Sequence, residues 1–299
     1  MIVVELMGGL GNQLFQYAAG KSLALRNNTE LFVDTQFLMS RNVESRHVTY
    51  RNYDLDIFTI KPPLISSSVS VRYGNGSSLL IRHIKRWVNR LLKVGHLQYI
   101  YERTPYQYDS RVDNLRDNVY LSGYWQSIRY FQCIQQQLRE ELQFADPIPD
   151  YAIGLAKEIR SNPSAVFVHV RRSDFVNNRR HNVVPPVYYQ QAERLISERI
   201  KTPAFYVFSD DIEWCRTHIR FNAPTVFVGN EWAGNRAQTH LQLMTFCHHF
   251  IIPNSTFGWW AAWLNPSVDK VVVAPKKWAY VNQNFISSDE LTYPGWLTI

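Results

Sequence analysis

Two adjacent arginines stand in the segment His169-Val170-Arg171-Arg172-Ser173-Asp174. A guanidinium keeps its charge at any biological pH and grips phosphate oxygens through two parallel hydrogen bonds. The pair follows the apolar run Ala165–Val170, which reads as a buried strand. Parallel strands deliver the residues at their C-terminal ends to the ligand crevice, so these arginines are expected to face a cleft. Fixed cations there suit a leaving group that gathers negative charge, such as a nucleoside diphosphate. The dull alternative is a surface ion pair between Asp174 and the arginines.

Three further clusters sit at comparable places. Gly8-Gly9-Leu10-Gly11-Asn12-Gln13 lies between a β-branched run and a helical pattern, where backbone approaches a phosphate or sugar closely. A dinucleotide-binding loop is its rival, with Asp34 at the right distance, yet Leu14 occupies the place of the third small residue. Phe208-Ser209-Asp210-Asp211 again ends an apolar run; its aspartates suit a metal, a ribose or a helix cap. Capping accounts for one of them. Asn254-Ser255-Thr256-Phe257 precedes a tryptophan-rich helix and offers an amide, hydroxyls and free backbone N–H groups to a phosphate. Of Trp259, Trp260 and Trp263, two read as core. Asp54-Leu55-Asp56 matches the D-x-D signature of metal-dependent sugar transferases, but it lies in an alternating apolar stretch and reads as a chance match.

The elements that must hold these clusters alternate. Strand 2–6, a glycine turn, a helix from Asn12 to Arg26 and strand Glu30–Asp34 open the chain. Residues 61–78 are rich in Pro, Ser and Gly, and 146–150 is the best linker. Beyond it, strands Ala165–Val170, Ala204–Ser209, Thr225–Val228, Phe250–Ile252 and Lys270–Ala274 are short and apolar. Helices near Pro186–Arg199, Ile212–His218, Gln238–His248 and Phe257–Leu264 separate them. The pattern predicts an α/β protein with two Rossmann-like halves, 1–148 and 149–299, facing a cleft.

Composition narrows the function. Hydrophobic residues at 45% and charged residues at 19% fit a folded globular chain. The formal charge of +7 calls for nucleic acid, an anionic membrane or a phosphate-bearing substrate. The arginines gather at strand ends rather than along one exposed face, which speaks against nucleic acid. Cys133, Cys215 and Cys247 are scattered and odd in number, so neither a disulfide framework nor a zinc site is expected. No run spans a bilayer and the start lacks a signal-peptide pattern, so a cytoplasmic protein is expected. Residues 79–94 form a basic helical pattern with Arg82, Lys85, Arg86, Arg90 and Lys93 beside an apolar stripe. It reads first as a surface helix over a core, and second as a peripheral contact with anionic membrane near a lipid-linked glycan.

Taken in order, the four clusters resemble the α-1,2-fucosyltransferases of glycosyltransferase family 11. Members share G-G-L-G-N-Q-x-F-Q-Y-A, met at Gly8–Ala18, and H-x-R-R-x-D, met at His169–Asp174. F-S-D-D falls at Phe208–Asp211, N-S-[ST]-F-x-W-W-x-A-W-L at Asn254–Leu264, and a smaller G-Y-W-Q-S at Gly123–Ser127. The resemblance implies a GT-B-like fold, with the acceptor on the N-terminal half and GDP-fucose on the C-terminal half. It implies inversion at the anomeric carbon, a galactoside 2-hydroxyl as acceptor, a role in surface-glycan or O-antigen synthesis, and neither metal nor cofactor. Arg171 and Arg172 would hold the diphosphate, with Asn12 near the reacting sugar and Gly9, Gly11 and Gln13 in the same donor loop. His169, Asp210, Asn254, Ser255, Thr256 and Phe257 would lie along the nucleotide. Asp174 and His181 are the candidate general bases, and Asp174 serves equally as an orienter of the arginines.

The chain departs from the pattern at several places. Members carry an acidic residue in D-L-x-L-M, whereas this chain reads His240-Leu241-Gln242-Leu243-Met244, so His240 is the candidate for the guanine edge. Ser173 replaces a common Gly, Gly258 a common Ser, and Ala261 a common Gly. Another fucose linkage, another GDP-sugar, or a non-catalytic glycan-binding protein on the same fold are the competing readings.

Overall fold

A computed structural model describes residues 1–39, 51–66, 97–172, 175–176, 178–181, 184–281 and 284–299. The chain divides into two compact units, Met1–Gln143 and Phe144–Ile299. Each is an α/β body around its own parallel sheet.

In the first unit, strands β1 (Ile2–Glu5), β2 (Leu31–Asp34), β3 (Gln98–Tyr101) and β4 (Val119–Ser122) form a sheet in the order β2-β1-β4-β3. All three pairings are parallel. Both β1 and β4 are wholly buried, as strands covered on two faces must be. Helix α1 (Leu10–Arg26) crosses from β1 to β2 and buries most of its length. It starts two residues before the expected Asn12, because extended Gly9 serves as its N-cap. Gly11, Asn12 and Gln13 are therefore helical first-turn residues rather than loop. A single turn, α2 (Gln36–Met39), follows β2, and α3 (Gln135–Glu141) closes the unit.

The second unit carries a six-stranded sheet built from β5 (Ala165–Val170), β6 (Ala204–Ser209), β7 (Thr225–Val228), β8 (His249–Ile251), β9 (Val272–Ala274) and β12 (Leu297–Thr298). Its order is β12-β9-β8-β5-β6-β7, parallel throughout. A separate antiparallel hairpin pairs β10 (Lys277–Val281) with β11 (Asn284–Ser287). Helices α4 (Ile153–Ser161), α5 (Pro186–Ser197), α6 (Ile212–His218), α7 (Gln238–Phe246) and α8 (Thr256–Leu264) alternate with the strands. The expected strand Phe250–Ile252 begins one residue earlier, and the Lys270–Ala274 strand shortens to its apolar core.

The tryptophans of α8 correct one expectation. All three, not two, are buried, and two of their indole N–H groups have partners inside. Trp259 Nε1 donates to the Leu291 carbonyl at 2.5 Å and Trp263 Nε1 to the Tyr293 hydroxyl at 2.8 Å. Among the described residues no helix is long and apolar enough to cross a membrane. The basic 79–94 segment, and with it the membrane-contact reading, lies outside the described residues.

Candidate active site

The register of the large sheet assembles the basic cluster. β5 and β6 pair His169 with Phe208 and Val170 with Ser209, so the next residues of both chains emerge side by side. Arg171-Arg172 thus meets Asp210-Asp211. An Asp210 Oδ2 lies 2.6 Å from Arg171 Nη1, and its Oδ1 accepts the Arg172 backbone N–H at 2.8 Å. Asp211 Oδ2 accepts from Arg172 Nε at 3.3 Å, while its Oδ1 caps α6 by accepting the Trp214 N–H at 3.2 Å. The ion pairs of both arginines therefore include carboxylates at the end of β6; Asp174, the neighbour expected to pair with them, lies outside the described residues.

Aromatic rings fix the guanidinium planes. Arg172 lies 3.7 Å from the centroid of the Trp214 ring, whose indole in turn stacks on His218 at 4.4 Å. Arg171 leans more loosely on Phe175 at 5.6 Å, and the His181 ring stacks on that same Phe175 at 5.0 Å. His181, a candidate base, is thereby brought beside Arg171. A cavity of about 530 Å³ opens here, with Arg171, Arg172, Tyr189, Trp214, Lys277 and Phe285 in its wall.

His169 sits just behind the arginines, 5% exposed, with Phe167 and Phe257 each 6.0 Å away. Burial pushes its pKa down to about 3; Arg171 and His240 push the same way and Asp210 opposes them. The ring is therefore neutral at pH 7. Its Nδ1 is buried and has no hydrogen-bond partner among the described residues. Gly258 makes room for it, since a Cβ there would lie 2.6 Å from Nδ1.

The polar turn before α8 is partly spent on structure. Asn254 Nδ2 donates to the His181 carbonyl at 2.9 Å and to the Trp278 carbonyl at 2.8 Å. That amide ties His181 and β10 to the start of the helix. Ser255 is the buried N-cap but makes no side-chain cap, and Thr256 and half-buried Phe257 form the first turn. The positive end of the helix dipole lies at this turn. His240 is buried edge-on to Phe208 at 5.4 Å, and burial lowers its pKa. Its Nε2 lies 2.8 Å from the Gly229 carbonyl, which can only accept, so Nε2 bears the proton. Nδ1 is left as a single acceptor.

In the first unit the glycine motif is held by its own amides. Gly8 adopts φ +76°, and a Cβ on it would strike the Asn12 side chain. Gln13 is fully buried: Nε2 donates to the Gly8 and Asn52 carbonyls at 3.0 and 2.8 Å, and Oε1 accepts the Asp54 N–H at 3.0 Å. Its side chain is committed to packing the loop. Half-buried Asn12 accepts from Gln126 Nε2 at 2.9 Å, which places the Gly123–Ser127 segment beside Gly9, Gly11 and Asn12. The Asp54-x-Asp56 match falls on a 3₁₀ turn, Leu55–Ile57, with Asp56 exposed. Among the described residues no three His, Cys, Asp or Glu side chains cluster as metal ligands do.

Trp214 and Lys277 escaped the sequence reading. Trp214 looked like an ordinary helix residue, and Lys277 reaches the cavity from a hairpin more than a hundred residues beyond β5. Only Gln126 had a signal, the short G-Y-W-Q-S match.

The family model described as glycosyl transferase family 11 matches residues 1–299. The chain belongs to glycosyl transferase family 11. Among its relatives within reach of sequence comparison, the O-antigen biosynthesis glycosyltransferase WbnK of Escherichia coli is 29% identical, over 98% of this chain and 99% of that protein. An alpha-1,2-colitosyltransferase of Escherichia coli is 30% identical, over 93% and 92%. Galactoside alpha-(1,2)-fucosyltransferase 2 of Oryctolagus cuniculus is 28% identical, over 88% of this chain and 67% of its own length. In fold, this family 11 chain is similar to the crystal structure of fucosyltransferase NodZ from Bradyrhizobium, with TM-score 0.50, 16% identity and coverage of 89% and 93%. The mixed α/β, parallel-sheet architecture of both units is that of the GT-B fucosyltransferases.

Proposed function

We propose that the protein transfers L-fucose from GDP-β-L-fucose to the 2-hydroxyl of a terminal galactoside, forming an α-1,2 linkage with inversion. The observation that carries this reading is the clamped arginine pair at the end of β5, with the first turn of α8 packed against His169 just behind it. The arginines are held by Asp210, Asp211 and the Trp214 ring, and both line one cavity. Relatives bearing α-1,2-fucosyl and α-1,2-colitosyl names support the linkage, and the O-antigen name supports a surface glycan as acceptor.

In this reading the acceptor hydroxyl displaces GDP in line. Arg171 and Arg172 bind the β-phosphate oxygens, first-turn amides of α8 bind the other phosphate, and neutral His169 orients them. Asn12, in the first turn after the glycine motif, is the candidate contact for the transferred sugar. His181 and Asp174 remain the two candidates to take the hydroxyl proton, with Asp174 alternatively orienting the arginines. His240 offers Nδ1 to a guanine N–H where a carboxylate would offer two oxygens. No metal is assigned, because fixed donors supply the electrostatics, and the unpaired scattered cysteines agree with a reducing, cytoplasmic setting. A different donor sugar is the second reading, favoured by the similarity to the colitosyltransferase.

The test is incubation with GDP-fucose and a panel of β-galactosides, with and without EDTA. NMR of the product is expected to show a fucose on O2 at equal rates in both arms. Product at another hydroxyl, no transfer from GDP-fucose, or EDTA loss restored by Mn²⁺ would each overturn the matching part.

A further inference from the structure

Among the described residues, the charges around the cavity do not balance a diphosphate. Arg171 and Arg172 are each paired with a carboxylate, Asp210 at 2.6 Å and Asp211 at 3.3 Å. Those four groups sum to zero. His169 is neutral, as derived above, and the α8 terminus contributes about half a positive charge. A nucleoside diphosphate leaving a sugar carries two to three negative charges, so the arginines supply direction more than net charge.

Of the described cations that line the cavity, Lys277 is the one with no carboxylate beside it. It lines the same cavity as both arginines. Its ammonium stands 4.2 Å over the Phe285 ring, and it has no carboxylate partner among the described residues. Its strand is fixed to the phosphate-side turn, since Asn254 Nδ2 holds the carbonyl of the next residue, Trp278. The hairpin therefore cannot swing away independently of the start of α8.

We infer that Lys277 is a third phosphate ligand, the source of net positive charge that neutralises the departing diphosphate while the two paired arginines orient it. The inference rests on the nucleotide-sugar reading above and adds a residue from outside the recognised motifs. An ammonium on a flexible stem suits this part, because it can follow the phosphate as the bond to the sugar stretches.

Calorimetric titration of the full chain with GDP and with guanosine separates the possibilities. Lys277→Ala is expected to weaken GDP about tenfold, the low end of what one charged hydrogen bond contributes. Guanosine, which has no phosphate, should bind with unchanged affinity. Lys277→Arg should stay within about threefold of the parent, and the GDP affinity of Lys277→Ala should fall less steeply with added salt. Since the side chain is exposed, a melting curve matching the parent is expected; Lys277→Gln provides a second neutral variant. GDP affinity of Lys277→Ala within twofold of the parent, or equal loss for guanosine, overturns the inference. A parent that binds neither GDP nor GDP-fucose overturns instead the reading on which it rests.

Discussion

Asp210 touches both arginines, so its removal tests whether their clamping matters for turnover. Its Oδ1 accepts the Arg172 N–H at 2.8 Å and its Oδ2 faces Arg171 at 2.6 Å, with only about a fifth of the side chain exposed. Asn at this position keeps an acceptor for the backbone N–H but loses the charge opposite Arg171. Losing the charge of that ion pair, only about a fifth exposed, is worth about 1.5 kcal/mol, roughly tenfold in the population of correctly held guanidinium. Ala also leaves the Arg172 N–H without its acceptor, bringing the total to about 3 kcal/mol, on the order of a hundredfold. The kcat at saturating donor should follow that order, parent above Asp210→Asn above Asp210→Ala. Binding of GDP should not weaken, because loss of the carboxylate frees positive charge. Steady-state kinetics with calorimetric GDP binding, on variants shown to melt cooperatively, would measure both. Turnover of Asp210→Ala within twofold of the parent would refute the reasoning, as would GDP binding that falls in step with kcat.

Two other outcomes follow from the same geometry. His169 is held neutral down to about pH 3 when folded, whereas an unfolded histidine takes up its proton near pH 6.5. Its contribution to stability is thus complete above about pH 6.5 and lost as acid is added, by about 2 kcal/mol between pH 6.5 and 5. Urea unfolding at pH 7 and pH 5 should show a slope that His169→Asn reduces by that amount, leaving the smaller same-sign shifts of His240 and His249. Equal slopes in parent and variant would count against a buried neutral ring. Trp214→Ala removes the ring 3.7 Å from Arg172 and should lower kcat about fivefold, in line with a cation–π contact of about 1 kcal/mol. Trp214→Phe should recover most of it; a variant without any aromatic ring turning over at the parental rate would exclude the platform.

Much of the fold was legible because it is local. β-branched runs without polar breaks mark buried parallel strands, and the clusters at their ends mark where ligands go. Hence β5, β6 and β7, the glycine turn and the α8 start were all readable in the linear order of residues. Asp211 as a helix cap was equally local, since a cap is defined within three residues. What tertiary structure decided was which group meets which. The pairing of His169 with Phe208 sets Arg171-Arg172 against Asp210-Asp211, and a parallel register is invisible until two distant segments are docked. The amides of Gln13 and Asn254 look like free ligand contacts in sequence, yet each is drawn inward by carbonyls from remote segments. Periodicity records that a side chain is buried or exposed, which the chain encodes one residue at a time. Partnership among charged and polar groups depends on the joint position of several segments, and so only the folded units determine which cations are already neutralised and which, like Lys277, are left for a ligand.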